Sequence, residues 1–500
     1  MTNTRPEGIH IIPSLDKSIR RVKEFSNGSS DLLVSFLKIC GVECAVICCE
    51  GLISSSALCE YMIKPLTDMQ VRHMNCMELL NFVNDNMMFS TDKSEVHDYD
   101  TMFKLVYSGF AVLAVNGSPY MLAFGMQGHE KRSIAEPSGE NDLTGAHEGF
   151  VEMIRTNMSL IRRRIKSPLL VQKLVQKGET SVTDICISYM SDRVPKELIE
   201  RIESSLDLIK LEGIFTTGYV KPFLEPRHKR IFSSAGLTER PDVLCSKLME
   251  GRVAVFVDGN PYAIYIPKLI TDNFQTLDDY NFKPYFGTFL RWLKYAAFII
   301  ALLLPALYAA IAVHHPELLN STLLLLLADS EKNAPFSITA ETVGILIVYE
   351  MIKEAGVRLP RSVGGAVSIA AGIMIGDSAV KSGLISTPLL TVAAVSVICG
   401  FVLPELSQSI PFLRIVFVIC GGIWGLFGIS LCGAVVLFNM CSTEDYGFPY
   451  TSPFSPFLKK AMGDTAVRSG FRKMQDNQFT VEELHERYKK QSAFHDTTMH

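Results

Sequence analysis

The sequence predicts an α+β multidomain protein: an N-terminal region of two α/β subdomains, followed by an all-α multi-pass membrane domain. Three observations lead to this prediction. The chain has 500 residues, too many for one ordinary domain. Its apolar residues are concentrated between about residues 295 and 441. Within that stretch, Ile415 to Cys441 carries no charge and would be about 40 Å long as a helix, longer than a hydrocarbon core of about 30 Å.

The first subdomain is predicted to span residues 1–125. Its N-terminus lacks the apolar segment of a signal peptide, so we expect the N-terminal region to be cytosolic and its cysteines to be reduced. In the run VECAVICC, Cys48 and Cys49 would point to opposite faces of a strand as small buried hydrophobes rather than as metal ligands. A hairpin, GFAVLAVNGSPYMLAF, turns at Asn116-Gly117.

Residues 126–148 are rich in glycine and charge and are predicted to form a linker. The second α/β subdomain follows at residues 149–290. It contains an alternating strand, SVTDICISYM, a helix opened by Pro195 and a hairpin, VAVFVDGNPYAIYI. This hairpin resembles the first one, which hints that the two subdomains are related.

The membrane domain is predicted at residues 291–441, with four spans plus a partial or re-entrant element. Its first span, Tyr295 to Val313, is kinked at Pro305 and flanked by Arg291 and Lys294, which the positive-inside rule places in the cytosol. Further spans are predicted at 337–356, 384–403 and 415–441, and the short run 323–327 at the outer surface. Counting the small-residue segment 362–383 as a full span gives five spans, whereas a re-entrant element gives four. Basic residues in the tail, 442–500, favour four spans and a cytosolic tail.

No enzyme motif is present, neither a P-loop nor HExxH nor GxSxG, so we expect a protein without enzymatic activity, cofactor or metal. The 48 Lys+Arg against 52 Asp+Glu do not indicate a nucleic-acid partner. Asp278-Asp279 could bind a cation or form a solvated turn. The run at 162–164, three arginines, could contact lipid phosphates or pair with acidic side chains.

Carboxylates within the predicted membrane helices are the candidate functional residues, because ionisable groups there are costly and mark ion or substrate paths. Glu350 and Glu354 lie one turn apart on one face of a helix, whereas Glu341 points to the opposite side near its outer end. Asp377 is one turn from Lys381 and could pair with it. An interfacial helix end with snorkelling side chains is the alternative for Glu350 and Glu354.

Four segments of the chain resemble the A-subunit family of bacterial spore germinant receptors, the GerA family. They are EGFVEMIRTNMSLIRRRIKSP (148–168), TERPDVLCSKLMEGRVAVFVDGNPYA (238–263), EAGVRLPRSVGGAVSI (354–369) and GLFGISL (425–431). The stretch Thr217 to Lys221 and the SSAGL before the TERPD block depart from the family's pattern. These departures leave open whether the chain belongs to a nutrient receptor or to the stage V sporulation paralogue.

The resemblance implies a multi-pass protein of the spore inner membrane with a cytosolic N-terminal region. It implies B-type and C-type partner subunits in the lipid bilayer and a homo-oligomeric ring that conducts monovalent cations when nutrients are sensed. Two other functions stay open at this point. One is a solute transporter that binds its substrate at a broken helix, and the other is a scaffold that holds partner subunits without conducting.

Overall fold

The structure is a computed structural model and describes most of the chain. The described residues are 6, 8–69, 74–86, 89, 90, 92–128, 137, 139, 140, 145–225, 230–332, 334–359, 369, 372–374, 376–455, 457–475, 480, 481 and 483. Much of the predicted linker 126–148, and residues 362–368, 370, 371 and 375 of the predicted re-entrant segment, lie outside them.

The first sheet has five antiparallel strands in the order β1-β2-β4-β5-β3. The strands are β1 (Leu32–Ile39), β2 (Val42–Cys49), β3 (Lys93–Val96), β4 (Phe110–Val115) and β5 (Met121–Gly125). Helices cover both faces: α1 (Leu15–Phe25), α2 (Ser55–Ala57), a π-helical turn (Leu58–Ile63), α3 (Lys64–Thr67), α4 (Cys76–Asn86) and α5 (Tyr99–Val106). Cys49 packs in the core with α1 and α5 and Cys48 in the core with α4, as predicted from the alternation of strand side chains.

The second sheet has the order β6-β7-β9-β10-β8, again antiparallel throughout. Its strands are β6 (Leu170–Lys177), β7 (Thr183–Met190), β8 (Gly236–Thr238), β9 (Val253–Val257) and β10 (Ala263–Ile266). The accompanying helices are α6 (Ile154–Arg164), α7 (Lys196–Asp207), α8 (Thr217–Leu224) and α9 (Pro241–Met249). A 3-10 turn (Ile270–Asn273) and α10 (Asp278–Asn281) lead out of this subdomain.

The two sheets are copies of one topology, because each places its first, second, fourth, fifth and third strands side by side in that order. The backbone repeats as well. Gly109 and Gly251, which precede the two hairpins, have φ of 90° and 91°. Gly117 and Gly259, in the two hairpin turns, have φ of 92° and 82°. The resemblance between the hairpins therefore extends to the whole subdomain, and we call the pair the duplicated head.

Arg162 joins the two halves of the duplicated head. It is fully buried, and its guanidinium donates to Asp31 Oδ2 at 2.6 Å and Oδ1 at 3.1 Å, across the subdomain boundary. It also donates to the carbonyls of Ser167 and Leu170 at 2.8 Å, and it lies 4.3 Å from the ring of Tyr107. Burial raises the pKa of the Tyr107 hydroxyl above its usual range. The arginine run thus pairs with acidic side chains, one of its two predicted roles.

The C-terminal half of the chain is a helical bundle. Its helices are α11 (Pro284–His314), α12 (Ser321–Glu331), α13 (Ile338–Arg358), α14 (Thr387–Phe401) and α15 (Ser409–Ser442), with 3-10 turns at Pro316–Leu318 and Pro404–Leu406. Among the described residues, α11 and α15 are long and apolar enough to cross a membrane. The α+β architecture with a helical C-terminal half is confirmed, and the predicted count of four spans is not.

Helix α15 is a hairpin, and this corrects the predicted single span from Ile415 to Cys441. Gly425 has φ 62° and ψ −145°, which breaks the helix into arms of residues 409–424 and 426–442. Ser409 Oγ donates to the carbonyl of Ile231 at 2.9 Å, and the amide of Ile231 donates to Asn439 Oδ1 at 3.3 Å. A straight helix would separate residues 409 and 439 by about 45 Å. Both ends of α15 therefore lie beside the head, and the tip of the hairpin lies at the far end of the bundle.

The far end of the bundle is where the hairpin tip meets the end of α11. His314 Nε2 lies 2.8 Å from the carbonyl oxygen of Gly422. The tail returns to the head: β11 (Glu444–Asp445) pairs with β12 (Phe448–Pro449), and α16 (Lys459–Met462) and α17 (Phe471–Met474) follow. Phe448 and Leu458 belong to the core of the second subdomain. Head and tail thus share one side of the bundle, which we call the head side.

Candidate functional site

The carboxylates of α13 occupy two environments. Glu350 Oε2 is 3.0 Å from Lys353 Nζ, with both side chains about one-third exposed, and Glu354 Oε1 is 2.6 Å from Arg358 Nη2 in an exposed pair. Glu341 is buried and lies on the packed side of the helix with Thr342 and Ile345. The opposition between Glu341 and the other two follows the predicted 100° per residue.

Asp377 pairs with Lys381, as its spacing predicts. The Oδ2–Nζ distance is 2.7 Å, and both side chains are more than half exposed. Three of the four candidate carboxylates therefore have a basic partner three or four residues further along the same helix. Such neighbours lower the net charge that each site presents, so a cation path would run past pairs of opposite charge rather than isolated carboxylates.

The bundle also contains an ionisable residue that was not among the predicted site residues, Arg414. It is 3% exposed, and its Nε donates to the carbonyl of Ala301 at 2.8 Å. Ser396 Oγ donates to the same carbonyl at 2.8 Å, so that α11, α14 and α15 meet at one oxygen. Proline has no N–H, so Pro305 leaves the carbonyl four residues before it, that of Ala301, without its helical partner.

Arg414 therefore satisfies a carbonyl that Pro305 leaves without its helical partner, deep in an apolar bundle. It also lies within electrostatic reach of Glu350, which connects it to the carboxylates of α13. Two signals in the sequence could have found it. It is the one charged residue of α15, just outside the uncharged run that defined the predicted span, and a proline in an apolar helix implies a donor opposite the freed carbonyl.

A buried ion-pair cluster lies where α11 leaves the head. Asp279 and Arg291 are both fully buried, with Arg291 Nε 3.3 Å from Asp279 Oδ2. Lys294 Nζ lies 3.0 Å from Asp279 Oδ1, and Arg291 Nη1 lies 3.0 Å from Asp464 Oδ1 in the tail. These contacts correct one expectation. Asp279 is neither a cation site nor a solvated turn residue, because it is buried between two cations. Arg291 and Lys294, the predicted flanking residues of the first span, are paired with these acidic side chains.

A second junction connects the head with the turn between α14 and α15. Lys268 Nζ, after β10, lies 2.5 Å from Glu405 Oε2, and this pair lines a cavity of about 1190 Å³ between the second subdomain and the bundle. Burial raises the pKa of Glu140, on the wall of the cavity, to about 7. Burial alone would raise the pKa of Asp272 too, but Arg252 and Lys247 outweigh it and hold that pKa below its usual range.

The first junction can couple the head to the bundle mechanically, because a buried ion pair resists separation of its partners, and the partly exposed pair of Lys268 and Glu405 adds a second contact. Across the part of the chain that the structure describes, no cluster of three or more His, Cys, Asp or Glu side chains could hold a metal ion. The arrangement is a duplicated α/β head that contacts the head-side ends of a bundle of apolar helices, one of which is broken at Gly425. It defines a two-part protein whose bundle is suited to a membrane.

The chain belongs to the GerA family of spore germination proteins. The family model described as Bacillus/Clostridium GerA spore germination protein matches residues 20–479. The chain is 32% identical over 465 residues to "Spore germination protein KA" of Bacillus subtilis (strain 168), covering 92% of this chain and 85% of that protein. It is 29% identical over 469 residues to "Uncharacterized membrane protein YfkQ" of the same organism, covering 92% and 90% of the two chains.

Two further comparisons are with a relative and a solved structure. "Spore germination protein GerLA" of Bacillus cereus is 28% identical over 459 residues, covering 91% of this chain and 93% of that protein. The crystal structure of the N-terminal domain of the A subunit of the Bacillus megaterium spore germinant receptor GerK3 is 25% identical, with a TM-score of 0.41, covering 54% of this chain and 99% of that one.

Proposed function

We propose that this protein is the A subunit of a spore germinant receptor, without enzymatic activity, and that several copies form a cation path in the spore inner membrane. B-type and C-type subunits would complete the receptor, with the head in the cytosol. Membership of the GerA family and the names of the relatives, spore germination proteins, support the role in germination.

The observation that carries the channel proposal is the distribution of charge on α13. One face, with Glu341, Thr342 and Ile345, packs into the bundle. Glu350, 29% exposed, lies at the edge of that face, next to the open side on which Glu354 lies. In a ring of copies, that open side would give one Glu350 per subunit, and rings of carboxylates select cations. Because Glu354 points out of its own bundle, the path would lie between copies.

The described helices support more membrane passes than the predicted four, because α11, α13, α14 and the two arms of α15 give five. Helix α11 leads away from the head, α13 returns with Thr339 near the hairpin tip at Gly422, and α14 ends beside Lys268. The arms of α15 are about 24 and 26 Å long as helices, near the hydrocarbon thickness. The second arm of α15 ends on the head side, in agreement with the contacts of the tail.

Glu350→Gln tests the channel. The purified protein, with and without partner subunits, is reconstituted in liposomes and its K⁺ current recorded. We expect Glu350→Gln to lower cation current and selectivity, because it removes one negative charge per subunit from the ring.

Lys353→Gln is the matched variant on the same turn. It removes the cation that pairs with Glu350 and should therefore maintain or increase the current. Equal protein level and membrane insertion control for folding. Normal current and selectivity in Glu350→Gln would reject Glu350 as a lining residue and direct attention to Asp377.

A transporter is the second candidate, because the helix broken at Gly425 resembles the discontinuous helices of solute carriers. The two functions differ in kinetics. Flux through a transporter saturates with substrate concentration, whereas a channel gives an ion current that follows the applied voltage. A protein that shows neither current nor saturable flux, yet still recruits its partner subunits, would be a scaffold.

A further inference from the structure

Exposed aromatic side chains line one face of α11 near its beginning. Tyr285 is 72% exposed, and Phe289 and Trp292 are each 60% exposed. The spacing of four and three residues places them on one face of the first two turns of the helix. The uncharged stretch of α11 begins three residues later, at Tyr295. Aromatic residues at this level of an apolar helix are typical of the boundary between hydrocarbon and water.

The tail packs against this same level of α11. The amide of Arg468 donates to Thr288 Oγ1 at 3.1 Å, and Arg468 Nη2 donates to the carbonyl of Tyr280 at 2.8 Å. Residues 284–291 lie about 6 to 17 Å before Tyr295 along the helix axis. This distance corresponds to the headgroup layer on one side of a bilayer and the water just beyond it.

Two further apolar side chains of the tail are exposed next to this contact. Phe471 is 58% exposed and Val467 is 50% exposed, although Arg468 between them is buried. Exposed apolar groups of this size are unfavourable in water, at about 25 cal/mol per Å² of apolar surface. The ring of Phe471 lies 6.4 Å from that of Tyr280, and Gly470 lies next to Pro284, so this part of the tail is at the level of the first turn of α11.

The cations at this level of α11 are of two kinds, some paired in the interior and others exposed. Arg291 and Lys294, where a membrane helix normally carries its flanking cations, are paired with Asp279 and Asp464. The exposed cations here include Lys283 at the start of α11 and Arg472 and Lys473 in α17. Arg291 and Lys294 are therefore neutralised by acidic partners, and the tail supplies exposed positive charge at this level instead.

We propose that tail residues 457–475 form a membrane-surface element that binds anionic phospholipid headgroups on the head side. Phe471 and Val467 enter the headgroup layer at the level of Tyr285, Phe289 and Trp292, and Arg472 and Lys473 contact the phosphates. Each Lys or Arg near an anionic surface contributes about a fivefold gain in affinity. The element depends on the bundle being in a membrane and does not depend on ion conduction.

The first test measures the depth of the tail in the full-length protein. The native tryptophans are replaced by Trp292→Phe and Trp424→Phe, and Phe471→Trp introduces one indole into the tail. The protein is placed in nanodiscs of phosphatidylcholine and phosphatidylglycerol at a 7:3 ratio. We expect a blue-shifted emission, strong quenching by lipids brominated near the headgroup, and weak quenching by aqueous iodide.

Two outcomes would overturn the proposal. Full quenching by iodide with none by brominated lipid would place Phe471 in water. Shielding from both quenchers would mean that protein, a partner subunit or a second copy, covers this surface. Measuring K⁺ current on the same sample separates this result from the channel proposal, since either can fail alone.

The second test measures lipid selectivity with spin-labelled phosphatidylglycerol and phosphatidylcholine. We expect the protein to prefer phosphatidylglycerol, and the double variant Arg472→Gln/Lys473→Gln to lose about fivefold of that preference per charge. The matched control is Arg21→Gln/Lys104→Gln, which removes two exposed cations from the first subdomain and should leave the preference unchanged. Equal preference in the tail variant and the control would overturn the assignment of Arg472 and Lys473.

Discussion

Gly425→Ala is the sharpest test of the hairpin in α15. The backbone at Gly425, with φ 62° and ψ −145°, lies in a region that residues with a Cβ rarely adopt. A Cβ added there would lie 2.9 Å from His315 Nε2 and 3.1 Å from His314 Cβ. The two histidines at the end of α11 would have to move, and the hydrogen bond between His314 Nε2 and the Gly422 carbonyl would be strained or lost.

The expected loss of stability follows from these two effects. Holding a non-glycine residue in such a conformation costs about 1–3 kcal/mol. A hydrogen bond between membrane helices contributes about 0.6 kcal/mol on average. We therefore expect Gly425→Ala to lower the free energy of unfolding by about 2–4 kcal/mol.

Gly433→Ala is the matched control in the second arm of the same helix. No atom lies within 4 Å of a Cβ added at Gly433, and its backbone is helical. Alanine in a helix is favoured over glycine by about 0.5–1 kcal/mol, so this variant should be slightly more stable than the native protein.

The assay is reversible unfolding in mixed detergent micelles, followed by circular dichroism as the fraction of dodecyl sulfate is raised. Labelling with an impermeant thiol reagent provides an independent test of the hairpin. It compares the side of the membrane from which Cys441 is labelled with the side from which a cysteine introduced by Phe427→Cys is labelled. The reasoning is refuted if Gly425→Ala is as stable as Gly433→Ala, or if positions 427 and 441 are labelled from the same side of the membrane.

Three further predictions concern other parts of the chain. Arg162→Lys keeps the charge but not the bidentate contact with Asp31, so thermal unfolding should show a free energy of unfolding about 2 kcal/mol lower. Unchanged stability would contradict the role of Arg162 in joining the two subdomains. Pro305→Ala restores an N–H that can donate to the carbonyl of Ala301, so it should reduce the destabilisation caused by Arg414→Met, with a coupling of about 1 kcal/mol in a double-mutant cycle. Additive effects of the two substitutions would argue against a shared role at that carbonyl. Maleimide at pH 7.5 should modify the exposed Cys59 well before Cys48, because burial raises the pKa of Cys48 to about 11 and the thiolate is the reactive form. Mass spectrometry follows the modification, and early modification of Cys48 would contradict its burial.

The α/β head was predictable from sequence because its signals are local. Alternating strands, hairpin turns and an opening proline act over a few residues, and the structure has strands at β2, β7 and both hairpins where they are predicted. The duplication was visible in the two hairpins, and the shared strand order extends it. The charged partners were not predictable, since Arg162 and Asp31 are far apart in the chain and meet only when the two sheets dock.

The sequence by itself determined the α+β class, the separation of an α/β head from an apolar helical half, and membership of the GerA family. These properties depend on composition, periodicity and local motifs, all of which can be recognised in the order of the residues alone. Only the tertiary structure decided that the run from Ile415 to Cys441 folds back at Gly425, because an uncharged run favours one helix or two equally. It also decided that Arg414 satisfies the carbonyl freed by Pro305, and that Arg291 and Lys294 are neutralised internally. The physical reason is the same in each case: a buried polar group requires a partner, and packing alone brings that partner from another part of the chain.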